Sequence, residues 1–268
     1  MHATSLIVGS HFIASTGVKE VANWITVLDE FFHDVPIVQF LHHWENVVFS
    51  LTAAFFLITV SFLATRKTSL IPGPLQNAVE LAVESLDQLV AGILGPKGRA
   101  HTPFIGTLFL FIIIQNYMGI IPGLKAPTSN LNTTIALATC VFFYVQAIGM
   151  KENGLIGYVD HLMGSPRDLV GWIMVPLFLP LHVMEEFIRP LSLAFRLFGN
   201  ILGEDALMGA MVVLGIFTLS FLHSPIGLPL QFPFMLLSLL LGTIQALVFT
   251  LLSTIYISLA MPHEEHGL

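Results

Sequence analysis

From Phe234 to Met261 the chain runs for 28 residues without a formal charge. As one helix this is roughly 42 Å, longer than the ~30 Å hydrocarbon core of a bilayer. The segment upstream is longer still. From Gly171 to Leu222 the formal charges are Glu185, Glu186, Arg189, Arg196, Glu204 and Asp205. Two over-long apolar helices must tilt, bend or run partly beyond the bilayer. The spacing predicts a tilted helical hairpin over about 168–222 and 230–261, turning near Pro225–Pro229.

The rest of the chain fits the same class. Val47–Ala64 is a charge-free span that ends at Arg66–Lys67. Trp44 and the His42–His43 pair before it read as an interfacial belt. Further spans are predicted at about 104–121, ending in Pro122–Gly123, and at about 133–150. Between the first two, Leu75, Val79, Ala82, Leu86, Leu89 and Ile93 recur at helical spacing, with Glu80, Glu84 and Asp87 on the other face. That pattern suits a helix lying on the membrane surface with a solvated acidic stripe. "GPKGR" at 95–99 reads as a basic turn. The expected fold class is therefore all-α and polytopic. It has about five to six membrane helices, one interfacial helix, an extracytoplasmic segment 1–45 and a single membrane domain 46–268.

Composition narrows the function. Of 268 residues, 55% are hydrophobic and only 10% charged, against about 25% charged in soluble domains. The net charge of −7 offers no basic patch for nucleic acid. Cys140 stands alone in an apolar run and reads as a small buried hydrophobe. The first twenty residues lack the positive start and unbroken apolar core of a signal peptide. "HHWE" at 42–45 lacks the spacing of a zinc helix, and there is no P-loop, GxGxxG or nucleophile-elbow motif. No metal or cofactor is expected. With the N-terminus outside, Arg66, Lys67, Lys97, Arg99, Lys151 and Arg167 fall inside and only Lys19 and Lys125 outside. The bias of Lys and Arg toward the cytoplasm favours that orientation, with the C-terminus inside.

The charges left within the membrane carry the chemistry. A charge at mid-bilayer costs at least about 2.5–3.5 kcal/mol on insertion scales and defaults to function. Arginine cannot escape by losing its proton. Ser192 and Asn200 stand four residues either side of Arg196, on its face. Arg189 has Glu185 and Glu186 at i−4 and i−3, either of which can pair with it. Arg196 has no carboxylate at those spacings. Asp205, nine residues on, points to the opposite side, and Glu204 stands beside it. Such separation leaves a carboxylate free to titrate, as a proton carrier requires. In the last span Ser238 and Gln245 share a face, and the glutamine is the costlier to bury. His182 reads as a packing residue or a proton relay, and Asn116, Asn130 and Asn132 as cap or helix-contact residues.

The stretch "RPLSLAFRLFGNILGED", with "IQALVFTLLSTIY" near the end, closely resembles subunit a of the membrane sector of F-type ATP synthases. Arg196, Asp205 and Gln245 occupy the family's arginine, acidic and late-glutamine positions. "EEFIRPLSL" at 185–193 and "IPG…APTSNLNTT" at 121–134 extend the resemblance from about residue 40 to the end. It implies a stator beside a rotating ring of c subunits, held by peripheral-stalk b subunits and not itself catalytic. Two aqueous half-channels would reach the ring from opposite sides, with Arg196 between them. It assigns Asp205, with Glu204 beside it, to the outer half-channel, and Asn200 and Gln245 to orienting the Arg196 region. Ser192, Glu185 and Glu186 are candidates for the inner one. Where some members carry a titratable residue seven before the glutamine, this chain has Ser238, which places more of the outer path on Glu204, Asp205 and water. Gly119 stands where some carry an aspartate. The implied setting is a bacterial inner membrane, with the thylakoid as a second. Proton or sodium remains open as the coupling ion. The alternatives are a proton-coupled secondary transporter, for which the chain shows no internal repeat or matching broken helices, and a scaffold whose charges only fix helix contacts.

Overall fold

The computed structural model describes residues 23–32, 35–66, 72–164, 169–220 and 229–261. All regular structure among them is helical. Two short helices, α1 (Trp24–Phe31) and α2 (Pro36–His43), lead into α3 (Glu45–Thr65). They are followed by α4 (Pro74–Leu94), α5 (Thr102–Met118), α6 (Leu131–Leu162), α7 (Leu169–Ser220) and α8 (Phe232–Ala260). Short 3₁₀ helices, Pro96–His101 and Pro127–Ser129, precede α5 and α6. The all-α expectation holds. Residues 1–22 and most of the expected hairpin turn, 221–228, lie outside the described residues.

Four helical stretches are long and apolar enough to cross a membrane: Glu45–Thr65, Leu131–Gly154, Gly171–Thr218 and Phe232–Ala260. The charge-free α5 has 17 residues, about 26 Å, and is shorter than each of these. It stops at Met118, three residues before its expected end. There the chain doubles back so tightly that a Cβ on Gly119 would lie 2.9 Å from that of Ala126. Helix α6 continues past its expected end at Met150. Gly154, at φ +70°, interrupts it within a polar stretch that stays helical on both sides. Helix α7 carries Pro176, Pro180 and Pro190 in its interior. Each removes a backbone donor and clashes with the preceding turn, a recognised cause of bending.

The described residues fall into two compact units. One comprises those up to Phe55 together with Ile112–Asn130 and Phe198–Gln245. Its short helix α1 is capped by Asn23, whose side chain accepts from the backbone of Ile25 and Thr26, both at 2.9 Å. Trp24 N–H donates to Gly123 C=O at 3.0 Å, so the head of α1 docks on the turn that follows α5. The start of α3 and the end of α5 therefore share one end of this unit, as antiparallel spans require. Asn116, buried in α5, donates to the Gly242 carbonyl of α8 at 3.0 Å and accepts from Thr128 at 2.9 Å. Tyr117 meets Thr243 at 2.6 Å one residue on.

The other unit comprises Phe56–Phe111, Leu131–Leu197 and the described residues from Ala246 onward. In it, α4 buries Leu86 and Val90 and leaves Leu75 and Leu81 exposed. Glu80 and Glu84 lie on the exposed face, next to Gln76 and Gln88. Asp87 departs from the expected solvated stripe. It pairs with Arg99 at 3.3 Å and accepts from the Thr102 hydroxyl at 2.8 Å, tying α4 to the turn that starts α5. A basic turn brought back onto the helix by Gly95, at φ +73°, gives that carboxylate its partner. His101 meets Tyr144 at 3.0 Å, and burial lowers its pKa. Cys140 is exposed rather than buried, since α6 turns that face outward.

Candidate functional site

Helix α7 divides between the two units just after Arg196, which belongs to the second, while Glu204 and Asp205 belong to the first. Each set is built from its own neighbours.

In the first unit, Asp205 lines a cavity of about 110 Å³. Its wall is the Gly119–Ala126 turn, its other sides Met208 and Val212 of α7 and Gln231 and Met235 at the start of α8. Asp205 thus faces a space bounded by the loop after α5. Glu204, beside it, is half-buried and hydrogen-bonded to Ser238 of α8, which is itself buried. A carboxylate only accepts, so the serine donates. Ser238 cannot exchange a proton at ordinary pH, yet it is joined to a residue that can. The Oε1 atom of Glu204 is buried without a hydrogen-bond partner in the protein. The same holds for Gln245 Nε2, both amide atoms of Gln115 and Asn46 Oδ1. All of these lie in this unit. Burying an unsatisfied polar group costs about 1–3 kcal/mol, so each of them is a place where a water or another chain can complete the bond. Asn200, also in this unit, is half-buried.

In the second unit the charges around Arg189 are satisfied. Arg189 donates to Glu185 at 2.7 Å and to Glu186 at 3.3 Å. Either pairing was expected, and both are present. The guanidinium also lies 5.8 Å from the ring centroid of Tyr256 in α8. The second oxygen of Glu186 accepts from Gln146 Nε2 of α6 at 2.6 Å. Gln146 in turn accepts from the Tyr158 hydroxyl. This chain of contacts exists because α6 breaks at Gly154. A Cβ on Gly149 would sit 3.2 Å from the Tyr158 ring, so the glycine admits the returning aromatic. Burial, and then the nearby Glu186 charge, raise the Tyr158 pKa and keep its proton in place. Asn153 donates to the Ala260 carbonyl at 2.9 Å and fixes the end of α8. His182 packs at 6.2 Å from the ring of Phe178.

Arg196 differs from Arg189. Its side chain is exposed, and among the described residues it has no hydrogen-bond or ion-pair partner. Ser192, one turn earlier, is exposed beside it. Around them the buried side of the helix is Leu193, Ala194 and Leu197. The arginine therefore leaves the chain from the face opposite its own packing.

Of the sequence candidates, the structure joins Glu204 to Ser238, and Glu185 and Glu186 to Arg189. Asp205 opens on a cavity, and Arg196 and Ser192 point outward. Four residues escaped the sequence reading: Gln115, Gln146, Tyr158 and Glu45. The two glutamines carried a usable signal, since each is an amide inside an apolar span, the same cost that singled out Gln245. Tyr158 and Glu45 lie outside the apolar runs and become visible only through their contacts.

Known proteins share this arrangement of sequence. The family described as ATP synthase A chain matches residues 47–258. An ATP synthase subunit a of Protochlamydia amoebophila is 44% identical over 97% of this chain and 95% of its own length. One from Sulfurihydrogenibium is 37% identical over 83% of this chain and 99% of its own. One from Moorella thermoacetica is 41% identical over 85% and 94%. The chain belongs to the ATP synthase A chain family, a family of membrane proteins of ATP synthesis and hydrogen-ion transport.

Proposed function

We propose that this chain is the proton-translocating stator subunit of an F-type ATP synthase, set against a ring of c subunits and held by peripheral-stalk b subunits. It lies in a bacterial inner membrane with its N-terminus outside and its C-terminus in the cytoplasm. It makes and breaks no covalent bond in ATP. Its residues move protons and hold one fixed charge. The observation that carries this reading is Arg196, a permanent cation on an apolar helix, exposed and without a hydrogen-bond or ion-pair partner among the described residues. An unpaired guanidinium in lipid is expensive, so it calls for a counter-charge supplied from outside the chain. A carboxylate on a rotor meets that need each time one passes.

The steps follow from the two kinds of site. A proton enters from the outer side through the Asp205 cavity, is held by Asp205 and by Glu204 with Ser238, and passes to a ring carboxylate. The neutral carboxyl can then enter lipid. After rotation it loses its proton to the inner half-channel, beside Ser192, Glu185 and Glu186. Arg196 favours the ionised carboxylate between the two and repels a proton that would cross without rotation. One charge crossing 100 mV is worth about 2.3 kcal/mol, which such a leak would dissipate. The roles of Asn200 and Gln245 near the arginine follow the family motif. The test is ATP-driven proton pumping in membranes carrying Arg196→Ala or Arg196→Lys. Pumping is lost in the first and severely impaired in the second, since a lysine can shed its proton when desolvated. Normal pumping in Arg196→Ala would overturn the reading.

A further inference from the structure

The head of α1 is fastened to the wall of the Asp205 cavity through one buried acid. Glu45, at the head of α3, is 7% exposed. Its Oε1 accepts from Asn23 Nδ2 at 2.6 Å and lies 3.5 Å from Lys125 Nζ. Its Oε2 lies 3.8 Å from His42 Nδ1. Asn23 is used at both ends, its carbonyl oxygen capping α1 and its amide gripping Glu45. One residue on, the Trp24 indole lies so close to Gly123 that a Cβ there would be 2.2 Å from Nε1. Gly123 adopts φ +89°, which a glycine tolerates without strain. The turn that walls the cavity is thus held by Trp24 at Gly123 and by Glu45 at Lys125.

Lys125 lines the cavity together with Asp205 and is itself largely buried, its side chain 17% exposed. A cation in the wall of a proton inlet lowers the local proton concentration unless an anion stands beside it, and screening by salt is weak where both are buried. The charged and titratable groups on the elements forming this wall are Asp29 and Glu30 of α1, His42 and His43 of α2, Glu45, Lys125, and Glu204 and Asp205 of α7. Of these, Glu45 is a buried carboxylate whose oxygen stands 3.5 Å from the lysine nitrogen.

We propose that Glu45 is a positioning residue for proton entry: it neutralises Lys125 at the mouth of the Asp205 cavity and holds the 119–126 turn in place. The proposal rests on the reading of that cavity as the outer half-channel. The experiment uses the whole ATP synthase complex in proteoliposomes and measures proton flow driven by an imposed potassium diffusion potential, per complex incorporated. Glu45→Gln keeps an acceptor for Asn23 but removes the charge, and slows flow about tenfold. Removing the lysine charge as well, in Glu45→Gln/Lys125→Gln, restores flow to within about twofold of the parent complex, a coupling that a double-mutant cycle isolates. Full flow in Glu45→Gln overturns the proposal. So does a double variant as slow as the single one, which would make Glu45 a purely structural clamp. Asp205→Asn in the same assay tests the underlying reading separately, because undiminished flow there removes the half-channel itself whatever Glu45 does.

Discussion

Arg189 and Arg196 stand two helical turns apart on α7, in equally apolar sequence, and only one of them is paired. Arg189 is closed by Glu185, Glu186 and the face of Tyr256, and Glu186 is closed again by Gln146. Arg196 is exposed, with no such neighbour among the described residues. The same contrast separates the polar groups of the two units. Around Arg189 every carboxylate has a donor, whereas around Glu204 the unit leaves buried oxygen and amide atoms unserved. A membrane protein cannot afford an open charge for packing alone, because a partner is always cheaper than lipid. The closed cluster is therefore read as architecture and the open positions as places where water or another chain completes the site.

The sharpest way to break this comparison is to exchange the fates of the two arginines. Arg196→Ala should lower ATP-driven proton pumping by about a hundredfold or more while leaving the subunit assembled, since no described residue bonds or pairs with its side chain. Arg189→Ala should do the reverse. It strands two carboxylates and should destabilise the solubilised complex by about 1–2 kcal/mol, the scale for losing charge-assisted hydrogen bonds that are only part-buried. Thermal unfolding in detergent reads that loss. Pumping per intact complex should fall much less than in Arg196→Ala. If Arg189→Ala leaves the melting curve unmoved, the closed cluster is not architectural.

The outer path gives smaller effects. Asp205→Asn should slow pumping about tenfold or more, the usual scale for losing a positioned proton carrier. Glu204→Gln should slow it less, by about threefold, because Asp205 still opens on the cavity. Equal loss in both would mean that Glu204 and Ser238 carry the main path rather than support it. No loss in either would remove the outer path from this helix.

The spans were legible because the cost of charge in lipid writes itself into sequence as long uncharged runs. Even the over-length of α7 and α8 could be read directly from residue counts. The open and closed arginines were half legible. Spacing on one helix showed that Arg189 had carboxylates in reach and Arg196 had none, and the contacts agree. What spacing could not show was contact between distant segments. Asp87 looked solvated because its partner, Arg99, arrives through a turn reversed at Gly95. Glu186 meets Gln146 forty residues away, and Tyr158 reaches the same glutamine only because α6 breaks at Gly154. In the sequence Glu45 is only the last letter of "HHWE", a stretch without zinc-helix spacing. Its buried role depends on Asn23 and Lys125, which no helical periodicity connects.

Gln115 offers the finest test of the difference between open and closed sites. It is fully buried in α5, one residue from the Asn116 that binds α8, and neither end of its amide has a partner in the protein. Asparagine at 116 is held at both ends and reads as a tie between elements. If the amide at 115 were dry, Gln115→Leu would relieve an unsatisfied group and stabilise the complex by about 1 kcal/mol or more. If water serves it, leucine expels that water, the stability gain shrinks, and a link in the outer path goes with it. The second outcome is expected: melting temperature nearly unchanged and pumping lowered about twofold to threefold. A clear rise in melting temperature with full pumping would place Gln115 outside the water path and confine that path to Asp205, Glu204 and Ser238.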